Sequence, residues 1–293
     1  MSFDFTGAGV ALITPFKKNF DIDFDALGKL VDYQVAGGMD YLVALGTTAE
    51  TATLSDEEKN EIVAYIKERT DGRIPLIVGM GGNNTRAMIK KMESFDSTGV
   101  SGFLIVTPYY NKPNQEGLFR HYMELAAHTP LPIVLYNVPS RTGINMEAET
   151  VIRLAEASDK FVAVKEASGN HSQITSIAKN TPPHFKVISG DDVMAITIMS
   201  VGGKGIISVI ANALPAKVSR LIGHGLKGDF TEARKIHYEL IELFILQFQD
   251  GNPAGVKTML SHFGVIENVL RLPLIPANEV TQKMIIQELQ KLA

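Results

Sequence analysis

Eight short apolar runs, separated by longer amphipathic stretches, constrain the fold of this chain more than any other feature. Each run is nearly continuous in apolar residues and rich in β-branched ones, a pattern typical of strands that are buried on both faces. The runs are 9–14, 41–46, 75–79, 102–107, 132–137, 161–165, 185–190 and 205–209. Strands that alternate in this way with helices predict an α/β protein with a parallel sheet.

The stretches between the runs have the spacing and end signals of helices. Leu27, Leu30 and Val31 recur on one helical face. Ser55 and Glu58 have the spacing of a capping box, in which each side chain satisfies a backbone N–H at the start of a helix. We therefore expect a helix after each strand.

Eight βα units predict a closed (β/α)₈ barrel of the TIM type. No strand pattern follows the eighth unit, but three helical stretches do, at 230–246, 253–262 and 278–292. We expect a barrel over 1–225 and a C-terminal helical extension over 226–293, packed on the barrel or on a partner subunit. A doubly wound open sheet is the alternative, although the lack of a clear switch point in strand order favours the barrel.

Composition excludes several functional classes. With 28 basic and 32 acidic residues the formal net charge is −4, so no basic face for nucleic acid is expected. The absence of cysteine excludes disulfides and thiolate chemistry and fits a reducing compartment. Residues Met1 to Phe5 lack the features of a signal peptide, and no apolar run approaches the roughly 18 residues that span a bilayer. We expect a cytoplasmic protein that does not bind membranes.

Active sites of such barrels lie at the carboxyl ends of the strands, and Lys165 ends the sixth run. A buried ammonium is costly, which favours the neutral amine. A neutral amine can attack a ketone and form a Schiff base. The alternative is a lysine whose head reaches solvent or pairs with Glu166, and the strand pattern alone favours that alternative.

Other strand ends carry polar side chains. Tyr136 could move protons with its phenol, or could pack in the core with its hydroxyl satisfied. Thr47 and Thr48 offer hydroxyls and N–H groups that suit a carboxylate, or simple turn and capping contacts. Arg141 could bind a second carboxylate with two hydrogen bonds, or could be a solvated surface residue.

Motifs for metals and nucleotides are weak. The glycine-rich stretch 79–84 follows a strand, but Asn84 replaces the last glycine of a dinucleotide fingerprint. The 7 histidines are scattered, which gives no support for a metal site. Asp191 and Asp192 could bind a cation, although a helix N-cap is the favoured interpretation. No metal or organic cofactor is predicted.

Six motifs, in order along nearly the whole chain, resemble those of the 4-hydroxy-tetrahydrodipicolinate synthase family. This family belongs to a superfamily of pyruvate-dependent class I aldolases that includes N-acetylneuraminate lyase. The motifs are Gly-Thr-Thr at 46–48, Thr-Pro-Tyr-Tyr-Asn-Lys-Pro at 107–113, Tyr-Asn-Val-Pro-Ser-Arg-Thr-Gly at 136–143, Lys-Glu-Ala-Ser-Gly at 165–169, Ser-Gly-Asp-Asp at 189–192 and Gly-Gly-Lys-Gly-Ile-Ile-Ser at 202–208.

The resemblance implies a set of catalytic residues. Lys165 would carry the Schiff base with pyruvate. Tyr136, Thr48 and Tyr110 would form a proton relay to solvent, with Tyr110 contributed by a neighbouring subunit. The active unit would then be at least a dimer, in a homo-oligomer expected to be a dimer of dimers.

The resemblance also implies how the substrates bind. Thr47 and Thr48 would hold the pyruvate carboxylate, and Arg141 the carboxylate of L-aspartate 4-semialdehyde. Gly190 and Ile207 would line the pocket, the latter through its backbone carbonyl. The implied product is 4-hydroxy-tetrahydrodipicolinate, a precursor of diaminopimelate and lysine, made without a cofactor.

Two alternative functions are compatible with a barrel of this kind. Another pyruvate-dependent aldolase, such as N-acetylneuraminate lyase or a 2-keto-3-deoxy sugar acid aldolase, would share Lys165 and Tyr136. Thr48 and the motif at 140–143 favour the synthase. A barrel that binds a keto acid without turnover would require Lys165 or Tyr136 to be missing or blocked, and both are present.

Two departures from the family pattern concern different sites. Ala49 stands where the family usually has glycine, and we expect no effect unless this position needs a positive φ. Ala87 stands where lysine-inhibited members carry a glutamate, and Asp56 and Lys59 stand where such members often carry histidines. Since the missing carboxylate removes a charge-assisted hydrogen bond to lysine, we predict weak or absent inhibition by lysine.

Overall fold

Eight parallel strands, each paired with the next in chain order, close into a barrel in the computed structural model, which describes residues 4–292. The strands are β1 (Gly7–Ala11), β2 (Tyr41–Ala44), β3 (Leu76–Gly79), β4 (Gly102–Val106), β5 (Ile133–Asn137), β6 (Phe161–Glu166), β7 (Lys186–Ser189) and β8 (Gly205–Ser208). The pairing of β8 with β1 closes the barrel, which confirms the predicted fold and excludes the open sheet.

The first strand differs from the prediction in its bounds. The predicted run covered 9–14, whereas β1 begins at Gly7 and ends at Ala11. Beyond it, the N–H of Leu12 still donates to the carbonyl of Val43 on β2 (3.0 Å), but the N–H of Ile13 donates to the side chain of Asn212 (3.1 Å). The chain is still buried there, so its apolar sequence resembles that of a strand although the ladder has ended.

Helices surround the barrel. They are α1 (Phe24–Ala36), α2 (Asp56–Thr70), α3 (Thr85–Ser94), α4 (Gln115–Ala127), α5 (Pro139–Thr142), α6 (Ala148–Ala157), α7 (His171–Asn180), α8 (Ala195–Ser200), α9 (Pro215–Leu226), α10 (Phe230–Leu246), α11 (Ala254–His262) and α12 (Glu279–Gln290). The face of α1 with Leu27, Leu30 and Val31 is buried, as predicted. Ser55 and Glu58 form the predicted capping box of α2.

Strand alternation divides the core into two parts. One apolar cluster fills the barrel interior, and a larger one lies between the sheet and the helices. Along β6, Ala163 belongs to the interior cluster while Val164 belongs to the outer one. Because side chains on a strand point alternately to opposite faces, Lys165 shares the interior face with Ala163, and Glu166 faces the helices.

The predicted helical extension is confirmed. The stretches predicted at 230–246, 253–262 and 278–292 correspond to α10, α11 and α12. α10 packs on α9, and α12 packs on both α10 and α11. The division of the chain into two units at 225 stays a prediction.

None of the helices within residues 4–292 combines the length and the apolar character needed to cross a membrane. Residues 1–3, which belong to the N-terminal segment considered above, and residue 293 lie outside the described part of the chain.

Candidate active site

A cavity of about 410 Å³ opens at the carboxyl end of the barrel. Its walls come from the carboxyl ends of five strands (β2, β5, β6, β7 and β8) and from the chain between α10 and α11. Six of the predicted site residues line it, namely Thr47, Thr48, Tyr136, Arg141, Lys165 and Gly190. Residues up to 143 positions apart in sequence, Thr47 and Gly190, thus meet because the barrel brings all strand ends to one rim.

Lys165 lies at the centre of this constellation. Its side chain is buried, with a relative exposure of 4%. The parallel register of β5 and β6 sets Tyr136 opposite Lys165, and the ammonium nitrogen lies 4.4 Å from the centroid of the tyrosine ring. A buried amine next to a phenol has both groups needed to form a Schiff base and to transfer its protons.

The alternative that Lys165 pairs with Glu166 is wrong. The Glu166 carboxylate lies on the helix side of β6 and accepts hydrogen bonds from Asn137 Nδ2 (3.1 Å), the N–H of Ser168 (2.8 Å) and Gln173 Nε2 (3.1 Å). These donors satisfy the hydrogen bonding of the buried Glu166 carboxylate, and none of them is on the face of β6 that carries Lys165. The amine therefore faces the cavity without its sequence neighbour as a counterion.

Gly190, which follows β7, gives the lysine room. A Cβ atom at this position would lie 2.9 Å from Cβ of Ala167 and 3.1 Å from Cε of Lys165. Any larger residue would press on the aliphatic part of the lysine side chain. The absence of a side chain at Gly190 therefore leaves space for the Lys165 side chain.

Thr47 and Thr48 lie in a short 3₁₀ segment, Thr47–Ala49, which begins directly after the extended residue Gly46. The Thr48 hydroxyl accepts a hydrogen bond from Nδ2 of Asn252 (2.9 Å). Asn252 also lines the cavity. It was not among the predicted residues because it lies in the C-terminal helical region, far in sequence from any strand end. The structure thus adds an amide to the predicted set.

Comparison with known proteins identifies the family. The model of the dihydrodipicolinate synthetase family matches residues 4–292. A 4-hydroxy-tetrahydrodipicolinate synthase of Parabacteroides distasonis is 54% identical, over 98% of this chain and 97% of the relative. The chain belongs to the dihydrodipicolinate synthetase family. It is therefore an enzyme, and a barrel that binds a keto acid without turnover is excluded.

Solved structures of this family have the same fold. Dihydrodipicolinate synthase from Thermotoga maritima superposes with a TM-score of 0.96 at 39% identity, covering 99% of both chains. The chloride-inhibited dihydrodipicolinate synthase from Acinetobacter baumannii, determined in complex with pyruvate, has a TM-score of 0.94 at 36% identity, covering 97% of this chain and 98% of that one.

Ala49, which replaces the usual glycine of this family, is not strained. It lies inside the 3₁₀ segment, and the residue with positive φ is the next one, Glu50, at +55°. Since only a left-handed backbone would penalise the Cβ of alanine, the substitution costs no backbone strain here. The expectation that Ala49 has no effect on the backbone is confirmed.

Glu50 anchors this segment to the C-terminal region. Its carboxylate accepts from Lys257 Nζ (2.5 Å) and from the N–H of Arg271 (3.0 Å), and the side chains of Glu50 and Lys257 are both fully buried. Burial lowers the pKa of Lys257 to about 8, because desolvation outweighs the attraction of Glu50. This pair was not predicted, since neither residue stands out locally in the sequence.

Asp192 has a different role from the predicted helix N-cap. α8 begins at Ala195 after Met194, without a side-chain capping bond. The Asp192 carboxylate is instead buried and accepts from Ser208 Oγ (2.5 Å) and from Gln247 Nε2 (2.9 Å). Burial raises the pKa of Asp192. The prediction failed because one donor lies on β8 and the other directly after α10, both distant in sequence.

Two predicted residues do not line the cavity. Ile207 is buried in the barrel interior. Tyr110 is 90% exposed and has a left-handed backbone, with φ at +74°. Among residues 4–292, no group of three or more acidic, histidine or cysteine side chains is arranged to hold a metal ion.

Proposed function

We propose that this enzyme condenses pyruvate with L-aspartate 4-semialdehyde, through a Schiff base on Lys165, to give 4-hydroxy-tetrahydrodipicolinate. The observation that carries the proposal is the buried Lys165 amine, 4.4 Å from the Tyr136 ring, in a cavity lined by two threonines and an arginine. The curated relatives named for this product support the choice of substrates.

The chemistry follows from the amine. The neutral Lys165 nitrogen attacks the keto carbon of pyruvate, and loss of water from the carbinolamine leaves an iminium. Its positive nitrogen acidifies the methyl group, which loses a proton to become an enamine. The enamine carbon then adds to the aldehyde, and the amino group of the semialdehyde displaces Lys165 as the ring closes. The phenol of Tyr136, whose ring lies beside Lys165, would carry protons between these steps.

The two anionic substrates would be bound by different side chains of the cavity. Thr47 and Thr48 offer hydroxyls and backbone N–H groups at the start of a short helical segment, which suits the pyruvate carboxylate. Arg141, on α5 at the cavity rim, would bind the carboxylate of the semialdehyde with two hydrogen bonds. Gly190 and the backbone carbonyl of Ile207 would complete the pocket.

We further propose that the enzyme works as a homo-oligomer, a dimer of dimers, in which Tyr110 enters the cavity of a second copy. Tyr110 is exposed, yet its loop is fixed: Asn83 Nδ2 donates to the carbonyl of Tyr109 (3.1 Å), and Asn111 Nδ2 donates to the carbonyl of Asn83 (2.9 Å). An aromatic side chain held in solvent by a hydrogen-bonded loop is suited to insertion into a neighbour. Tyr110→Phe should lower turnover without dissociating the oligomer, as measured by light scattering.

Pyruvate consumption by the purified protein, with and without the semialdehyde, tests the reaction. Consumption that depends on the semialdehyde supports the condensation. Pyruvate trapped on Lys165 by borohydride, without consumption of the semialdehyde, would instead indicate a sugar-acid aldolase with the same Schiff base. No trapping at all would contradict the assignment of Lys165.

The compartment is a separate proposal. We infer that the enzyme acts in the cytoplasm, since the complete absence of cysteine fits a reducing environment. Fractionation of producing cells, with the protein recovered in a membrane or periplasmic fraction, would contradict this.

A further inference from the structure

Asn252 is a buried amide in contact with the cavity. Its side chain is only 7% exposed, its Nδ2 donates to the Thr48 hydroxyl (2.9 Å), and its Oδ1 is buried without a hydrogen-bond partner among the described residues. A buried polar atom without a partner is uncommon in a folded protein. This arrangement therefore calls for an explanation beyond packing.

The hydrogen bond from Asn252 determines in which direction the Thr48 hydroxyl can donate its proton. A hydroxyl has a single proton to donate and two lone pairs that accept. An amide N–H is only a donor, so Thr48 uses a lone pair on the side of Asn252. Its proton must then point elsewhere, and both residues line the cavity.

We propose that Asn252 is a positioning residue for the reaction: it holds the Thr48 hydroxyl as a donor into the cavity, toward the bound keto acid. This inference rests on the proposed function, in which Thr48 contacts the pyruvate carboxylate and joins the proton relay. Asn252 itself acts through Thr48.

The ion pair between Lys257 and Glu50 holds the two segments that carry the hydrogen bond between Asn252 and Thr48. Asn252 precedes α11, whose buried Lys257 reaches Glu50, only two residues beyond Thr48. The segment 252–257 is thereby attached to 48–50 at both of its ends, by the amide at one and by the ion pair at the other. The C-terminal helical region thus acts on the cavity without supplying the reactive amine.

A double-mutant cycle between Asn252→Ala and Thr48→Val tests the proposal. We expect Asn252→Ala to lower kcat by about 10-fold, as for the loss of a buried hydrogen bond. The same substitution should cause no further loss when Thr48 is already valine, because the coupled residues act as a unit. Equal losses in both backgrounds, or an unchanged kcat in Asn252→Ala, would overturn the proposal.

Asn252→Asp supplies a readout that a merely structural role would not change. The introduced carboxylate accepts rather than donates, so it should draw the Thr48 proton away from the cavity and lower kcat. Activity relative to wild type should recover as the pH falls and the carboxyl is protonated. A pH profile parallel to that of the wild type would contradict the donor role.

Asn278→Ala is the matched control. This asparagine caps α12 in the same region, donates to Asp250 Oδ2 (2.7 Å) and does not line the cavity. It should lower the Tm but leave kcat unchanged; a similar loss of kcat would assign Asn252 a general structural role.

If the wild type traps pyruvate on Lys165 but does not consume the semialdehyde, the proposed second substrate is contradicted and the proposal for Asn252 is not. In that case the rate at which borohydride traps pyruvate on Lys165 tests the role of Asn252. We expect Asn252→Ala to lower this rate in the wild-type background and not in the Thr48→Val background.

Discussion

Replacing Lys257 by methionine should destabilise the protein strongly, because the change leaves the buried carboxylate of Glu50 without its counterion. The side chains of Lys257 and Glu50 are both fully buried, and their charged atoms lie 2.5 Å apart. Methionine is unbranched and of similar length, so it keeps the contact with the Phe16 ring, which lies 4.3 Å from the ammonium. What is lost is the charge that neutralises Glu50.

The size of the effect follows from this burial. Breaking a buried ion pair from one side costs about 3–5 kcal/mol, since the other charge stays desolvated. Of the donors to Glu50, only the N–H of Arg271 would remain. A loss of this size is between about a fifth and the whole of a typical unfolding free energy of roughly 5–15 kcal/mol. For a chain of this length we expect the Tm to fall by roughly 5–8 °C.

Urea unfolding at pH 7, followed by circular dichroism, measures the change. Lys291→Met is the matched control, because Lys291 forms an exposed ion pair with Glu288 and should change stability by less than about 1 kcal/mol. The double variant Lys257→Met/Glu50→Gln should recover most of the loss, since no buried charge remains. Equal stability of Lys257→Met and the wild type would refute the argument.

Three further predictions concern other parts of the molecule. Lys165→Ala should abolish most turnover at unchanged circular dichroism, and full retention of activity would exclude the Schiff-base role. Burial lowers the pKa of His121 to about 4 from 6.5, so its contribution to stability is complete above pH 6.5 and is lost as the pH falls through 4. The wild type should therefore lose about 3 kcal/mol more than His121→Gln over this range in acid titrations of unfolding, and parallel curves would contradict this. L-lysine should inhibit weakly or not at all, because Ala87 offers no carboxylate, and an inhibition constant in the low micromolar range would disprove this.

Local patterns were sufficient for the elements of the fold. Continuous apolar runs fix the strands, since a strand covered on both faces needs apolar side chains at nearly every position. The bounds of α10, 230–246, were predicted to the residue from its helical periodicity. The predicted end of β1 is wrong, because burial continues beyond Ala11 while, from Ile13, the hydrogen-bond partner changes from a strand to Asn212.

The sequence by itself determined the barrel and the strand end that carries Lys165. Only the tertiary structure decided what surrounds that amine: the separation of Glu166 from it, the contact of Asn252 with Thr48, and the pairing of Lys257 with Glu50. The last two contacts join residues 204 and 207 positions apart. Hydrogen bonds between such distant groups depend on closure of the barrel and on docking of the C-terminal helices. The sequence around these residues has no periodic pattern that would indicate either contact.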